Sequence, residues 1–487
     1  MHGQFLNDDA YITLTYAKNF GSGRGFVFGS DIPSFGFTSP LWTLLLGIAY
    51  WITGIENLDR LASVLGGICW SSAILIIFRY RQSWGLSSPI AFMVCLVISL
   101  AIPFITLGME SHLFTLLLVL SITLFLNNQP LWTGISIGLL HLTRGEGVLL
   151  APILFGFYVS PQVHYLKSRI KDICRWTLTI SVGFLLPVLT WSTYAILTFG
   201  HVFPNTLKAK QAQLLTTHWS SFSHRLFREW LPNWGSELTI AGVPIGWFLL
   251  AIGAAYMILR ARASLILFAW MVIYIAGYAV LRVAGYAWYQ LPILFVLQFI
   301  LGVGIGVLFA QIFERRHILA KVSFSCLTLI FLSLLITPFS KTVLNFRGDY
   351  RARDYINLSE WLSSNTETED SVAAIEIGYI AYFSKRPVVD LAGLVDPEIT
   401  AHIIQGDFSS GFWNALPEYF IWMNQFRHLL GGIRRSPCFK NYYKLVNKIP
   451  LRRGVAVIYQ RINSERPLAG SSLAQICYAK PKPRRRR

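Results

Sequence analysis

Charge is scarce in this sequence, and negative charge is the scarcer sign. Only 14% of its 487 residues are Asp, Glu, Lys or Arg, against 54% hydrophobic and 15% aromatic. Soluble domains carry about 25% charged residues, so a wholly water-exposed chain is excluded. Cysteine is sparse too. The six, at positions 69, 95, 174, 326, 438 and 477, form no Cys-x-x-Cys pair and no zinc-type spacing, which argues against a dithiol redox motif or a zinc ribbon. Cys69, Cys95 and Cys326 lie in apolar runs and read as core residues. Cys438 and Cys477 fall in the polar C-terminal part, where a disulfide between them is open if that part faces an oxidising compartment. The glycine-rich "SGRGFVFG" (22–29) lacks the Lys-Ser/Thr of a phosphate loop and reads as a turn. No cleavable-signal pattern stands at the start.

Long apolar runs are plentiful instead. They cover about 61–78, 89–107, 112–126, 130–143, 147–159, 176–198, 239–259, 264–281, 290–313 and 318–339, the pattern of repeated membrane spans. The shorter run 41–53, behind "TSPLW", reads as a juxtamembrane helix, with a true span as the alternative. After about residue 345 the composition turns mixed. There "RARDYINLSEWLSSN" (351–365) reads as a helix, and "SVAAIEIG" (371–378), "PVVDLAG" (387–393) and "AVIYQRI" (456–462) read as strands. The expected fold is an α-helical polytopic membrane protein with a C-terminal soluble α/β domain. Residues 1–60 form an external loop with juxtamembrane helices, 61–340 the transmembrane module, and 341–487 the α/β domain with a basic tail.

The formal net charge is +18. The basic clusters "RYR" (79–81), "KSRIKDICR" (167–175), "RAR" (260–262) and "ERRH" (314–317), with the polar "NNQP" (127–130), fall in alternate loops, which the positive-inside rule places in the cytoplasm. Cytoplasmic loops, anionic lipid and a phosphate-bearing substrate account for the excess, so no nucleic-acid partner is expected. The tail "KPKPRRRR" reads as a solvated or lipid-surface segment.

The remaining loops share the outer face, and unusual polar residues collect there. They are Asp8 and Asp9 in "NDDAYI", Glu110 and His112 in "GMESHLF", Arg144 and Glu146 in "LTRGEG", Lys208 and Lys210 in "FPNTLKAK", and Arg282, Tyr286, Trp288 and Tyr289 in "RVAGYAWYQL". Each has a plain explanation: helix cap, interfacial anchor or local ion pair. Five such stretches on one face favour a polar cavity, because ionisable groups at membrane depth are costly. One Asp suffices to cap the helix that follows, which leaves the second for proton transfer or metal binding. That helix, with Ile12, Tyr16 and Phe20 at helical spacing, is expected to lie on the membrane surface. Outward Lys and Arg suit a lipid phosphate carrying a transferable group.

In chain order, "DDAYITLTYAKNFGSGRGFVF", "GFTSPLWTLLL", "GMES", "LTRGEG", "FPNTLKAK", "YAWYQLPIL" and "VAAIEIGYIAYFSKRPVVDLAGLVDPEI" (372–399) resemble the GT-C glycosyltransferases that use polyprenyl-phosphate sugars. Within them the pattern is similar to the branch of the mycobacterial terminal arabinofuranosyltransferase. The resemblance implies transfer of a sugar from a polyprenyl-phosphate donor to an envelope glycan, lipid or protein, by single displacement with inversion. It implies Asp8 as general base assisted by Asp9. Donor-phosphate contacts would come from Lys208, Lys210, Arg144 and Arg282, with Glu110, His112, Glu146 and Tyr289 in support. Some members use a divalent metal (Mg, Mn or Ca), for which Asp9 and Glu110 are the candidates. Asp390 and Asp396 are turn residues or line the acceptor path. The implied location is the bacterial inner membrane, multi-pass, with the site and C-terminal domain on the periplasmic face. Relatives carry a transmembrane helix before the acidic pair where only seven residues stand here, and often an acid where this chain has Phe35; a shortened start is the expectation. A transporter or flippase of lipid-linked sugars, or an inactive envelope scaffold, are the rival classes.

Overall fold

The structure is a computed structural model, and it describes residues 6–29, 32–100, 106, 108–161, 166–215, 219–232, 245–313, 349 and 351–463. The first helix, α1 (Asp8–Gly21), is capped by Asn7, whose side-chain oxygen accepts the Ala10 N–H at 3.0 Å. Neither Asp is therefore the cap. Both sit in the first turn, where acids meet the positive end of the helix dipole. This helix does not lie on a lipid surface as its spacing predicts. Tyr11, Ile12 and Tyr16 are buried, with the Tyr11 ring against Tyr379, Tyr382 and Phe383. Apolar residues on more than one face leave it sandwiched between α2 (Pro40–Thr53) and the C-terminal domain.

The bundle continues through α3 (Leu58–Arg79), α4 (Ser88–Leu100), α5 (Ser111–Leu126), α6 (Pro130–Thr143), α7 (Leu150–Val159) and α8 (Leu166–Phe199). Then come α9 (Asn205–Leu215), α10 (Ile245–Leu259), α11 (Leu265–Leu281) and α12 (Leu291–Phe313). Among the described residues, four helical stretches are long and apolar enough to cross a membrane: Leu58–Arg79, Ser168–Phe199, Arg262–Leu281 and Ala287–Gln311. The expected span 318–339 and the "ERRH" cluster lie outside the described residues.

The loops expected in the cytoplasm meet at one end of the bundle. Ser83 Oγ donates to Asn127 Oδ1 at 3.1 Å, Ser264 Oγ donates to the Trp84 carbonyl at 2.7 Å, and Trp176 stands edge-on to Phe125. Of the motifs in the other loops, Glu110, Arg144, Glu146, Lys210 and the Tyr286 and Tyr289 rings come together at the opposite end.

The C-terminal domain comprises α13 (Ala352–Asn365), β1 (Val372–Ala374), α14 (Gly378–Ser384), β2 (Val388–Asp390), α15 (Pro397–Ile404), α16 (Ser410–Ala415), β3 (Tyr419–Met423), α17 (Arg427–Arg435), β4 (Tyr443–Leu451) and β5 (Gly454–Arg461). Its sheet has the order β2-β1-β3-β5-β4. β2, β1 and β3 run parallel, and β3, β5 and β4 pair antiparallel. The sequence reading finds β1, β2 and β5 but not β3 or β4. β3 is a bare apolar run with no flanking glycine. β4 carries Lys444, Lys448, Pro450 and a bulge between Leu445 and Asn447, which an edge strand tolerates. Cys438 is disulfide-bonded, while Cys69, Cys95 and Cys174 are free.

Candidate active site

The two adjacent acids separate by about 100° around α1 and meet different surroundings. Asp8 points into the C-terminal domain, where its Oδ1 accepts the Tyr379 N–H at 2.9 Å at the start of α14. The contact is tight: a Cβ on Gly378 would stand 1.9 Å from the Asp8 carbonyl oxygen. Glu376 lies close by, tied to the Arg351 guanidinium and to the Tyr355 hydroxyl. Arg351 also pairs with Asp349 at 2.7 Å. Burial and the Glu376 carboxylate push the Asp8 pKa well above the usual carboxylate range, against the lowering effect of the Tyr379 bond. Through the Tyr379 bond Asp8 docks the domain onto α1.

Asp9 is half-buried and, among the described residues, accepts no hydrogen bond. Burial raises its pKa, and the nearby Lys210 and Arg351 charges oppose that rise. Lys210 is buried and sits over three rings, 5.0 Å from Tyr286, 5.5 Å from Trp288 and 5.5 Å from Tyr289. Burial works against its ammonium, but Tyr289 and Asp9 more than offset this, so Lys210 stays charged. The Tyr286 hydroxyl donates to Gln213 Oε1 at 2.5 Å, which fixes one ring to α9 itself. The rings expected to be membrane-interface anchors instead enclose a cation.

The expected pair of lysines does not hold together. Residues 205–215 are helical, and a two-residue separation on a helix points side chains to opposite faces. Lys210 turns inward and Lys208 is exposed. Arg282 is also exposed, held with φ 48° at the C-terminal end of α11, and is not gathered with the other charges. Arg144 is brought in, but its fork is committed. Its Nε reaches Glu146 at 2.6 Å, Nη1 lies 3.6 Å from Glu110 and 3.5 Å from Ser111 Oγ, and Nη2 donates to the Tyr278 hydroxyl at 3.2 Å. Tyr289 connects the two cations, with the Arg144 guanidinium 5.3 Å from its ring.

His112 is fully buried beside Trp70, with both ring nitrogens unpartnered, and belongs to the helix interior. Asp390 and Asp396 act as turn residues. Asp390 accepts the Ala392 and Val395 N–H groups at 2.9 and 3.0 Å, and Asp396 caps α15 through Glu398 and Ile399. The turn they flank docks on α9: Asn205 Nδ2 donates to the Gly393 carbonyl and to Thr400 Oγ1, each at 2.8 Å. Of the two metal candidates, Glu110 is engaged with Arg144, and among the described residues no three His, Cys, Asp or Glu are grouped to hold a metal. Sequence reasoning missed Arg351, Tyr355, Glu376 and Gln213. The one available signal was Glu376, an acid breaking the apolar strand-like run "VAAIEIG".

A family model described as a domain of unknown function, DUF8728, matches residues 345–467. No curated protein matches the chain. Among solved structures, ArnT from Cupriavidus metallidurans bound to undecaprenyl phosphate is similar at a TM-score of 0.58 and 13% identity, covering 94% of each chain. Its apo state matches at 0.56 and 14% identity, over 93% of each chain. The Archaeoglobus fulgidus oligosaccharyltransferase in complex with Zn and sulfate matches at 0.55 and 13% identity, over 90% of this chain and 67% of that one. The likeness defines the architecture: this chain has the GT-C fold of ArnT, an apolar helical bundle with a small C-terminal sheet domain.

Proposed function

We propose that the protein is a membrane glycosyltransferase that moves a sugar from a polyprenyl-phosphate donor to a hydroxyl of an envelope acceptor. The observation that carries this reading is a half-buried Asp9 carboxylate within electrostatic reach of the ring-caged Lys210 at one end of a GT-C bundle. The undecaprenyl phosphate bound by ArnT supports a polyprenyl phosphate as the lipid here. The order of the sequence motifs supports placement near the arabinofuranosyltransferase branch, on the outer face of a bacterial inner membrane. The Cys438 disulfide agrees with an oxidising, external sheet domain.

In this mechanism Asp9 takes the proton of the acceptor hydroxyl as its oxygen attacks the anomeric carbon. The bond from that carbon to the phosphate oxygen breaks on the opposite face, inverting the centre. Lys210 stabilises the charge that builds on the leaving polyprenyl phosphate. Tyr289 and the Arg144–Glu146–Glu110 network position the Lys210 cage. Asp8 holds the sheet domain in place and takes no proton from the acceptor.

A flippase would need charges along a path to both faces. All six Asp, Glu, Lys or Arg side chains that are buried among the described residues (Asp8, Asp59, Glu110, Arg144, Lys210 and Asp390) lie at the site end or in the sheet domain. The test is reconstitution in liposomes with a polyprenyl-phosphate sugar labelled at its anomeric carbon. A product of inverted configuration with release of polyprenyl phosphate is expected; intact donor delivered to the other leaflet overturns the reading.

A further inference from the structure

Charge is segregated within the sheet domain. Residues 349–426 hold twelve Asp or Glu and four Lys or Arg, whereas 427–463 hold nine Lys or Arg and no acid. The second stretch forms α17, the single helical turn Phe439–Tyr442 and the β4–β5 hairpin. Eight of its nine cations are exposed, and the ninth, Arg461, is half-buried and pairs with Glu418 at 2.5 Å. A few lysines suffice to keep an edge strand from pairing with another chain. Exposed cations over three consecutive elements, with no acid among them, exceed that need and repel one another. Such a surface fits an anionic partner.

The strip also has a direction. Its hairpin turn rests on α13, where the Arg452 N–H donates to Asp354 at 2.7 Å. Gln425, at the end of β3, donates to the Tyr355 hydroxyl at 3.2 Å, and Tyr355 is bonded to Glu376 beside Asp8. The turn end of the strip therefore flanks the site. From there β4 runs outward over nine residues, a length of about 30 Å, to Tyr443, whose hydroxyl donates to the Pro417 carbonyl at 2.8 Å. α17 and β4 pack on elements of the sheet domain. Arg434 on α17 lies 4.3 Å over the Trp422 ring, adding a flat face to the strip. A line of cations leading away from the site suits an extended chain better than a bilayer plane.

We propose that this edge binds a polyanionic glycan, one bearing carboxylate or phosphate groups, and guides it to the site as the acceptor. The acceptor role rests on the glycosyl-transfer reading above; the binding does not. The probes are a polyuronate, a polyphosphate-bearing glycan and a neutral dextran of matched length, titrated onto the full chain in neutral-lipid nanodiscs. The comparison protein carries Arg435→Glu, Lys444→Glu and Lys448→Glu together. The wild type is expected to bind at least one polyanion with an affinity that falls as salt rises, and not to bind the dextran. The triple variant is expected to lose at least about tenfold in that affinity while transfer to a short neutral acceptor is unchanged. Equal polyanion affinity in the variant, or equal binding of dextran, overturns the proposal. So does protection of Lys444 and Lys448 from an amine reagent by anionic-lipid nanodiscs alone, which identifies a bilayer contact. Salt-sensitive polyanion binding without sugar transfer in any assay would reject the glycosyltransferase reading, and with it the acceptor role, and keep the polyanion binding.

Discussion

At the scale of single residues, the adjacent acids Asp8 and Asp9 do different work because a helix turns between them. Asp8 is spent on the Tyr379 N–H and on a shared environment with Glu376. Asp9 keeps its oxygens open beside Lys210 and Arg351. Because burial lifts the Asp9 pKa, the acid limb of the rate profile should lie above the ordinary carboxylate range: the base is lost as pH falls through that pKa. Arg351 opposes the rise, so Arg351→Gln should move this limb to higher pH, read as kcat/KM against pH. A limb that stays put would remove Arg351 from the electrostatics of the base. Lys210→Gln should raise the donor KM and lower kcat together, since the charge it meets grows in the transition state; unchanged steady-state constants would exclude it from the phosphate. The acid pair and Lys210 were legible in the sequence as charges in apolar surroundings. Which acid stays open was not, because that depends on α14, more than 360 residues further along the chain.

At the scale of elements, α1 is the joint between bundle and sheet domain, and Gly378 sets how closely they approach. A methyl group there meets the Asp8 backbone rather than a movable side chain. Gly378→Ala should therefore cost about 1–3 kcal/mol or more, seen as a lower midpoint of thermal unfolding and faster proteolytic release of the sheet domain. An unchanged midpoint would mean that the joint is looser than described. Helix positions were readable from apolar periodicity and Pro starts, as for α2 and α6. The inward turn of Lys210 was not, because two lysines after a Pro-Asn turn show no face until the stretch is seen to be helical. The strands β3 and β4 stayed hidden for a related reason. β3, at the centre of the sheet, is apolar throughout and shows no alternation, while edge position and a bulge relax it in β4.

At the scale of the whole molecule, the alternation of basic and polar loops sorts the chain into two ends, and among the described residues the loops after α3, α5 and α10 meet at one of them. This orientation has a native probe. Cys174 is free and exposed within the basic 167–175 segment, so a membrane-impermeant thiol reagent should label it only from the cytoplasmic side. Labelling from outside in sealed cells would invert the proposed topology. The overall architecture was the most legible feature, since apolar runs and a late change in composition announce a bundle followed by a soluble domain. The links that make one site of them, Asn205 to the Gly393 turn and Asp8 to α14, join residues too distant in sequence for any local pattern to show.

The central claim, that Asp9 rather than Asp8 is the base of a sugar-transfer site, is tested most directly by two substitutions compared side by side in proteoliposomes. Asp9→Asn should lower the transfer rate by about 10²–10⁴-fold with donor binding retained. Asp8→Asn, which keeps an oxygen for the Tyr379 N–H and mimics the protonated acid, should stay within about threefold of wild type. Transfer retained in Asp9→Asn and lost in Asp8→Asn, with both proteins folded, would contradict the account.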